Sequence, residues 1–127
     1  MPLTKPRILY VDENAEDSFT LATLLQLADY EPVTTNFASD ALQIARMDEF
    51  DLYILSRRFP VDSGAYLCQK LNKISPQTPI IFLTNDGGRN GEVTSGAPEY
   101  VAGSRNGREI LSAVRLALSL KRGVTSL

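Results

Sequence analysis

Short apolar runs alternate along the chain with longer segments whose apolar residues recur at helical spacing. The runs have the length of β-strands, and two of them, 52–55 and 80–83, are apolar at every position. Continuous apolarity is typical of central parallel strands that are covered on both faces. Five strands are therefore predicted, at 7–11, 33–37, 52–55, 80–83 and 99–102.

Four helices are predicted between and after these strands, at 15–30, 39–46, 64–73 and about 107–121. Ser39 is expected to cap the second helix. The positions expected to face the core are Phe19, Ala22, Leu25, Leu27, Ala28, Leu67, Leu71, Ile74, Ile110, Val114, Ala117 and Leu118. Alternation of strand and helix predicts a doubly wound parallel sheet.

The segment between the fourth and fifth strands departs from this rhythm. Residues 85–91 include three of the chain's eight glycines and have no apolar side chain, and only residues 92–95 could form a helical turn. A glycine-rich turn can bind an anion, but no strong helix follows this one. We expect a surface loop here, and we expect the helix between the fourth and fifth strands to be short or replaced by that loop.

Length and composition indicate one ordinary globular domain. The chain has 127 residues, 43% of them hydrophobic and 22% charged, which is enough to bury a core without disulfides. We expect a single domain over 1–127 with its core at about 7–120. The single cysteine, Cys68, is expected to be a buried thiol, and the absence of a signal segment or long apolar run favours the cytoplasm.

Charge and residue types exclude several functions. The formal net charge is −2, so neither nucleic acid nor an anionic membrane is an expected partner. Histidine is absent, which removes chemistry of the Ser-His-Asp and Cys-His types and the commonest transition-metal ligand. We do not expect an enzyme.

Ligands of open parallel sheets bind beyond the carboxyl ends of the strands, where strand order reverses. Asp12 and Glu13 follow the first strand, Ser56 the third and Thr84 the fourth, and Gly103 with Ser104 follows the fifth. These positions are the candidate site.

The segments around these positions resemble the receiver domain of two-component response regulators, from about residue 7 to residue 120. The resemblance rests on Ile8-Leu-Tyr-Val-Asp-Glu13, Asp51-Leu-Tyr-Ile-Leu-Ser56, Phe59-Pro60 followed by Gly64, residues 79–84, and Gly96-Ala-Pro-Glu-Tyr-Val101. It implies a flavodoxin-like α/β fold with a doubly wound five-stranded parallel sheet in the order 2-1-3-4-5.

The resemblance also implies a chemistry that this chain departs from. In the family an acidic pair and an acceptor aspartate bind Mg²⁺, the aspartate takes a phosphoryl group from a histidine kinase, and a Thr or Ser and a Lys bind the phosphate. Here Ser56 stands at the acceptor position and Gly103 at the lysine position. Thr84 and Tyr100 match the hydroxyl and the aromatic that receivers rearrange together.

Elementary chemistry also indicates that phosphate acceptance is lost at position 56. A serine hydroxyl is a poor nucleophile without a neighbouring base, so phosphate acceptance at Ser56 is not expected, and Ser56 is interpreted as a small filler rather than a kinase target. Three interpretations of Asp12 and Glu13 stay open: a solvated acidic rim, a weak Mg²⁺ site, or an ion pair with Arg57 or Arg58. Arg57 and Arg58 would then complete a degenerate acidic pocket with Asp12, Glu13 and Ser56.

The predicted function is that of a phosphorylation-independent pseudo-receiver that binds another signalling protein or an output domain. Arg105, Arg108 and Arg115 of the last helix, with the loop 85–95, are a candidate partner surface. The oligomeric state is not predicted, but a dimer through the face of the fourth helix is not expected. Two alternatives are a receiver phosphorylated at a non-standard acceptor and a flavodoxin-like domain that binds a small ligand or nucleotide.

Overall fold

The computed structural model of the chain describes residues 5–13, 15–56, 61–83, 99–102 and 107–125. Strands and helices alternate within these residues. In chain order they are β1 (Arg7–Val11), α1 (Ala15–Leu27), β2 (Glu31–Thr35), α2 (Ala38–Met47), β3 (Leu52–Ser56), α3 (Val61–Ile74), β4 (Ile80–Leu83), β5 (Glu99–Ala102) and α4 (Gly107–Thr125).

The strands pair in parallel, in the order β2-β1-β3-β4-β5. β1 lies between β2 and β3, so that Leu9 is in register with Val33 on one side and with Tyr53 on the other. Strand order therefore reverses next to β1, which places a topological switch point at the carboxyl ends of β1 and β3. The predicted doubly wound α/β fold is confirmed.

Both faces of the sheet are covered, as the apolar runs predicted. Ile8 and Tyr10 of β1 pack on one face among side chains of α1 and α4, while Leu9 and Val11 pack on the other among side chains of α2 and α3. This alternation follows from the two-residue period of a strand. Burying one such large apolar side chain contributes about 1.5–3 kcal/mol.

Helix α1 differs from its prediction in both its buried face and its end. Phe19 and Leu27 are exposed, at 74% and 81%, whereas Leu21 and Leu25 are buried in the core. The helix ends at Leu27 rather than at 30, because Asp29 adopts a left-handed conformation with φ of 73°. Such a residue commonly ends a helix.

Strand β2 and the start of α2 also lie elsewhere than predicted. β2 covers Glu31–Thr35 rather than 33–37, and Pro32 fits there because β2 is an edge strand. Phe37 is the extended N-cap residue of α2 and makes no side-chain capping bond. Ser39 lies inside the helix, so its prediction as the cap was wrong.

The later helices bury all but one of the predicted positions, since Ile74 is only partly buried. Leu67, Cys68 and Leu71 of α3 are buried, and α3 begins at Val61, three residues earlier than predicted. Helix α4 buries Ile110, Val114, Ala117 and Leu118, as expected, but continues to Thr125. The predicted shortening of the helix between β4 and β5 falls on residues 84–98, outside the described residues. No helix in the described ranges combines the length and apolarity needed to span a membrane.

Candidate functional site

Asp12 and Ser56 lie at the switch point of the sheet. Val11 is in register with Leu55, so that Asp12 and Ser56 are the next positions on neighbouring strands. The amide of Asp12 donates a hydrogen bond of 3.1 Å to the carbonyl of Thr35, which extends the pairing of β1 and β2 by one residue. Both candidate residues are thus fixed by the central strands rather than by a loop.

The carboxyl group of Asp12 is fully buried, with 0% of the residue exposed. Its Oδ2 accepts a hydrogen bond from the hydroxyl of Tyr10, two residues earlier on the same face of β1. The Tyr10 ring is itself fully buried in the core between the sheet, α1 and α4. Because a buried polar group is costly unless it is hydrogen-bonded, the Tyr10 hydroxyl stabilises Asp12 where it lies.

Asn36 fixes the backbone of Asp12 from the side of β2. Its Nδ2 donates a hydrogen bond of 2.7 Å to the carbonyl oxygen of Asp12 and one of 3.2 Å to the Oγ of Ser18 on α1. Ser18 is 5% exposed. The single amide of Asn36 therefore connects β1, β2 and α1 at the edge of the sheet that carries Asp12.

Ser56 is the last residue of β3 and is 1% exposed. It is in register with Leu83 of β4, and its strand lies between β1 and β4 in the middle of the sheet. A protein kinase must reach its target hydroxyl, and this hydroxyl is not accessible in the folded chain. Burial supports the interpretation of Ser56 as a filler of the acceptor position.

Asp12 and Glu13 do not form one solvated acidic pair. Glu13 is exposed, whereas Asp12 is buried and bonded to Tyr10. A solvated rim therefore does not describe the buried carboxyl group of Asp12, and only the Glu13 side chain is exposed. The division follows from the end of β1 at Val11, because Asp12 is still hydrogen-bonded to Thr35 of β2 whereas Glu13 lies beyond the paired strands.

The described donors do not fit a resident Mg²⁺. The described residues contain no group of three or more acidic, Cys or His side chains that could hold a metal ion. Mg²⁺ requires nearly octahedral oxygen coordination from carboxylates, other oxygens and waters. Here one carboxylate oxygen of Asp12 accepts from Tyr10, the Glu13 side chain is exposed, and Ser56 supplies no carboxylate.

Several predicted site residues lie outside the described residues. These are Arg57, Arg58, Thr84 and Gly103, together with Ser104, Arg105 and the loop 85–95. Tyr100 is placed by its backbone in β5, where it is in register with Ile81. The proposed ion pair of Asp12 with an arginine and the pairing of Thr84 with Tyr100 therefore stay predictions.

The part of the predicted partner surface that is described lies on α4. Arg108 and Arg115 are both exposed, and Leu116, next to Arg115, is 52% exposed. The remaining face of α4 packs against the sheet through residues such as Val114. An apolar side chain beside exposed cationic groups is a composition suited to protein binding.

A groove of about 800 Å³ lies at the opposite, amino-terminal edge of the sheet. Arg7 lies in it, 3.5 Å from Glu31 by Nε to Oε2 and 4.8 Å above the ring of Phe50. Tyr53 also lines it, and burial raises the pKa of the Tyr53 hydroxyl, an effect partly offset by a hydrogen bond with Ser75. None of the predicted site residues that the structure describes lines this groove.

Sequence reasoning missed Tyr10 and Asn36. For Tyr10 a signal was present, because a tyrosine two residues before a strand-end aspartate shares its face, and a buried tyrosine hydroxyl usually has a partner. Asn36 was assigned to a strand, although an Asn at the carboxyl edge of a parallel sheet is well placed to bind neighbouring backbone.

The sequence matches the family of the response regulator receiver domain over residues 8–115. A curated relative, the probable transcriptional regulator ycf27 of Cyanophora paradoxa, is 32% identical over 121 residues, which are 93% of this chain and 50% of that protein. The chain spans about half the length of the curated transcriptional regulators that it matches.

Solved structures of response regulators are also similar to this chain. The response regulator TrrA, in a complex with the histidine kinase ThkA, is 31% identical, with a TM-score of 0.78 over 89% of this chain and 98% of the matched chain. TrrA from Thermotoga maritima with Mg²⁺ and BeF is 30% identical, with a TM-score of 0.77 over 88% and 98% of the two chains.

Proposed function

This chain belongs to the family of response regulator receiver domains, and we propose that within it the chain is a pseudo-receiver. It binds another signalling protein without being switched by phosphate. The observation that carries this proposal is the serine at the acceptor position: Ser56 ends β3 at the switch point of the sheet and is buried.

The chemistry of phosphoryl transfer supports the proposal. Transfer needs a nucleophile in line, a metal that bridges the phosphate oxygens, and cations that stabilise the developing charge. Ser56 lacks a carboxylate, the described donors do not fit Mg²⁺, and Gly103 stands at the lysine position. With no histidine in the chain, no imidazole base activates the serine hydroxyl.

The contacts of Asp12 support a single fixed conformation. Its carboxylate accepts from Tyr10, its carbonyl accepts from Asn36 and its amide donates to Thr35. A switch needs two states that a ligand binds with different affinity. In this chain the hydrogen bond from Tyr10 occupies Oδ2 of Asp12, an oxygen that a metal would otherwise use.

The partner that we propose is a second signalling protein or an output domain. TrrA, a relative at 31% identity, is solved in a complex with a histidine kinase, and the curated relatives are about twice as long as this chain. The exposed Arg108, Arg115 and Leu116 on α4 are the described part of the binding surface. A buried single thiol, Cys68, suits a reducing cytoplasm, which we include in the proposal.

The proposal is tested by incubating the chain with a small acyl phosphate donor and Mg²⁺ and following its intact mass. We expect no added phosphoryl mass on this chain, with the TrrA receiver incubated in parallel for comparison. The matched variant Ser56→Ala is incubated in parallel.

A phosphoryl adduct on the wild-type chain would overturn the proposal, and its chemistry would identify the alternative. An adduct removed by hydroxylamine is an acyl phosphate, which points to a carboxylate such as Asp12. An adduct that resists hydroxylamine and is absent from Ser56→Ala is a phosphoserine at position 56. Either result would establish phosphorylation at a non-standard acceptor.

A further inference from the structure

Tyr10 and Asp12 form a hydrogen-bonded pair at the carboxyl end of β1. Both residues are fully buried, and the hydroxyl of Tyr10 donates to Oδ2 of Asp12. The ring of Tyr10 packs with Ile8, Leu21 and Leu25 in the core cluster between the sheet, α1 and α4. The ring is therefore fixed by packing, and the hydroxyl is directed at the edge where Asp12 lies.

We propose that Tyr10 is a positioning residue that takes the place of a divalent cation at Asp12. A cation that coordinates Oδ2 must compete with the Tyr10 hydroxyl for the same oxygen. The hydroxyl needs no ordering to compete, because its ring is already held in the core. Tyr10 thus lowers the affinity of this edge for Mg²⁺ and Mn²⁺.

The backbone contacts of Asp12 strengthen this competition. Asn36 binds the carbonyl of Asp12 at 2.7 Å and Thr35 accepts from its amide at 3.1 Å. These two bonds fix the backbone of Asp12, so that its carboxylate is held next to the Tyr10 hydroxyl. Removal of the hydroxyl, with the ring retained, is therefore the smallest change that removes this competitor from Oδ2.

The size of the effect follows from the strength of one hydrogen bond to a charged group. Such a bond corresponds to about a ten- to hundredfold change in an equilibrium constant. Tyr10→Phe should therefore tighten Mn²⁺ binding at Asp12 by about tenfold or more. The gain should not exceed about a hundredfold, because Glu13 is exposed and Ser56 contributes no carboxylate that could add to the binding.

The experiment measures free Mn²⁺ by electron paramagnetic resonance in titrations of the wild-type chain, Tyr10→Phe, and Tyr10→Phe combined with Asp12→Asn. Tyr53→Phe is the matched control, since Tyr53 is also a buried strand tyrosine but lies at the other edge of the sheet. We expect tighter binding in Tyr10→Phe only, with the gain lost in the double variant and absent from Tyr53→Phe.

The proposal is overturned if Tyr10→Phe binds Mn²⁺ no more tightly than the wild-type chain, or if the gain persists without Asp12. A second variant, Tyr10→Leu, also has an apolar side chain without a hydroxyl. It should therefore show the same gain in Mn²⁺ affinity. If neither variant folds, Tyr10 is a packing residue and not a competitor of the cation, and the proposal also fails.

This inference rests on the proposed pseudo-receiver, but the two fail separately. Mn²⁺ affinity tests the role of Tyr10, whereas intact mass after incubation with a phosphodonor tests acceptance of phosphate. A wild-type chain that is phosphorylated while Tyr10→Phe still gains Mn²⁺ affinity would refute the proposed function alone.

Discussion

Asn36→Ala should destabilise the edge of the sheet that carries Asp12. The substitution removes the amide that donates to the Asp12 carbonyl at 2.7 Å and to Ser18 Oγ at 3.2 Å. A typical hydrogen bond within a protein contributes about 0.5–1.5 kcal/mol, and the loss is larger where a buried partner is left unsatisfied. For two bonds to buried groups we expect a loss of about 1–3 kcal/mol in the free energy of unfolding.

The same loss can be expressed as a melting temperature. Unfolding entropy near 60 °C is about 2.1 cal/mol/K per residue, or about 0.27 kcal/mol/K for a chain of this length. Each kcal/mol then lowers Tm by about 4 °C, so that Asn36→Ala should melt about 4–11 °C below the wild-type chain. Urea unfolding followed by circular dichroism gives the free energy independently.

Two further variants separate the hydrogen bonds from other effects of the substitution. Asn36→Asp keeps the size of the side chain but has no N–H to donate when ionised, so it should be at least as unstable as Asn36→Ala. Gln43→Ala removes an exposed amide from α2 and should change stability by less than about 0.5 kcal/mol. Wild-type stability in Asn36→Asp would refute the assigned role of the amide.

Three further predictions concern buried groups of the sheet and of α3. The raised pKa of Tyr53 means that its contribution to stability is complete below the usual tyrosine pKa of about 10 and is lost as pH rises through the folded-state value. Urea unfolding above pH 10 should therefore show a steeper loss of stability for the wild-type chain than for Tyr53→Phe, and equal slopes would contradict the shift. Cys68 is 1% exposed, so an aromatic disulfide reagent should label it only as fast as the chain opens, and labelling as fast as that of free cysteine would exclude burial in solution. Ser56→Asp adds a second carboxylate at the position next to buried Asp12 and should lower stability at neutral pH by about 1–3 kcal/mol relative to Ser56→Ala, without restoring a phosphate-dependent change of spectrum.

The strands that could be predicted from the sequence are those whose pattern is set by burial alone. β1, β4 and β5 have the predicted bounds, because apolar runs of strand length leave little choice of register in a sheet covered on both faces. The apolar face of α4 was predicted correctly for the same reason, since its buried residues recur at i, i+4, i+7 and i+8.

The elements that could not be predicted depend on contacts with distant parts of the chain. β2 ends at Thr35 because Asn36 turns its amide to Asp12, 24 residues away, and to Ser18 on α1. The exposure of Phe19 likewise follows from how α1 packs and not from its composition. No local propensity contains this information.

The candidate site was predicted in part. The positions of Asp12 and Ser56 at the switch point follow from the order of strands and are found there. Their environment does not follow, because the burial of Asp12 and the exposure of Glu13 depend on where the strand ends within the sheet. The partner of Asp12, Tyr10, is predicted only as part of the first strand, and no role of its hydroxyl follows from that prediction.

The absence of a phosphate-driven switch is tested most directly by amide spectra recorded by NMR with and without Mg²⁺ and beryllium fluoride, the ligands present in the TrrA structure. TrrA under the same conditions is the positive control. For this chain we expect the spectrum to stay unchanged apart from weak shifts near Glu13. Large, saturable shifts at Asp12, Ser56, Thr84 and Tyr100 would show that the chain still binds a phosphate mimic and changes conformation, and would contradict its function as a pseudo-receiver.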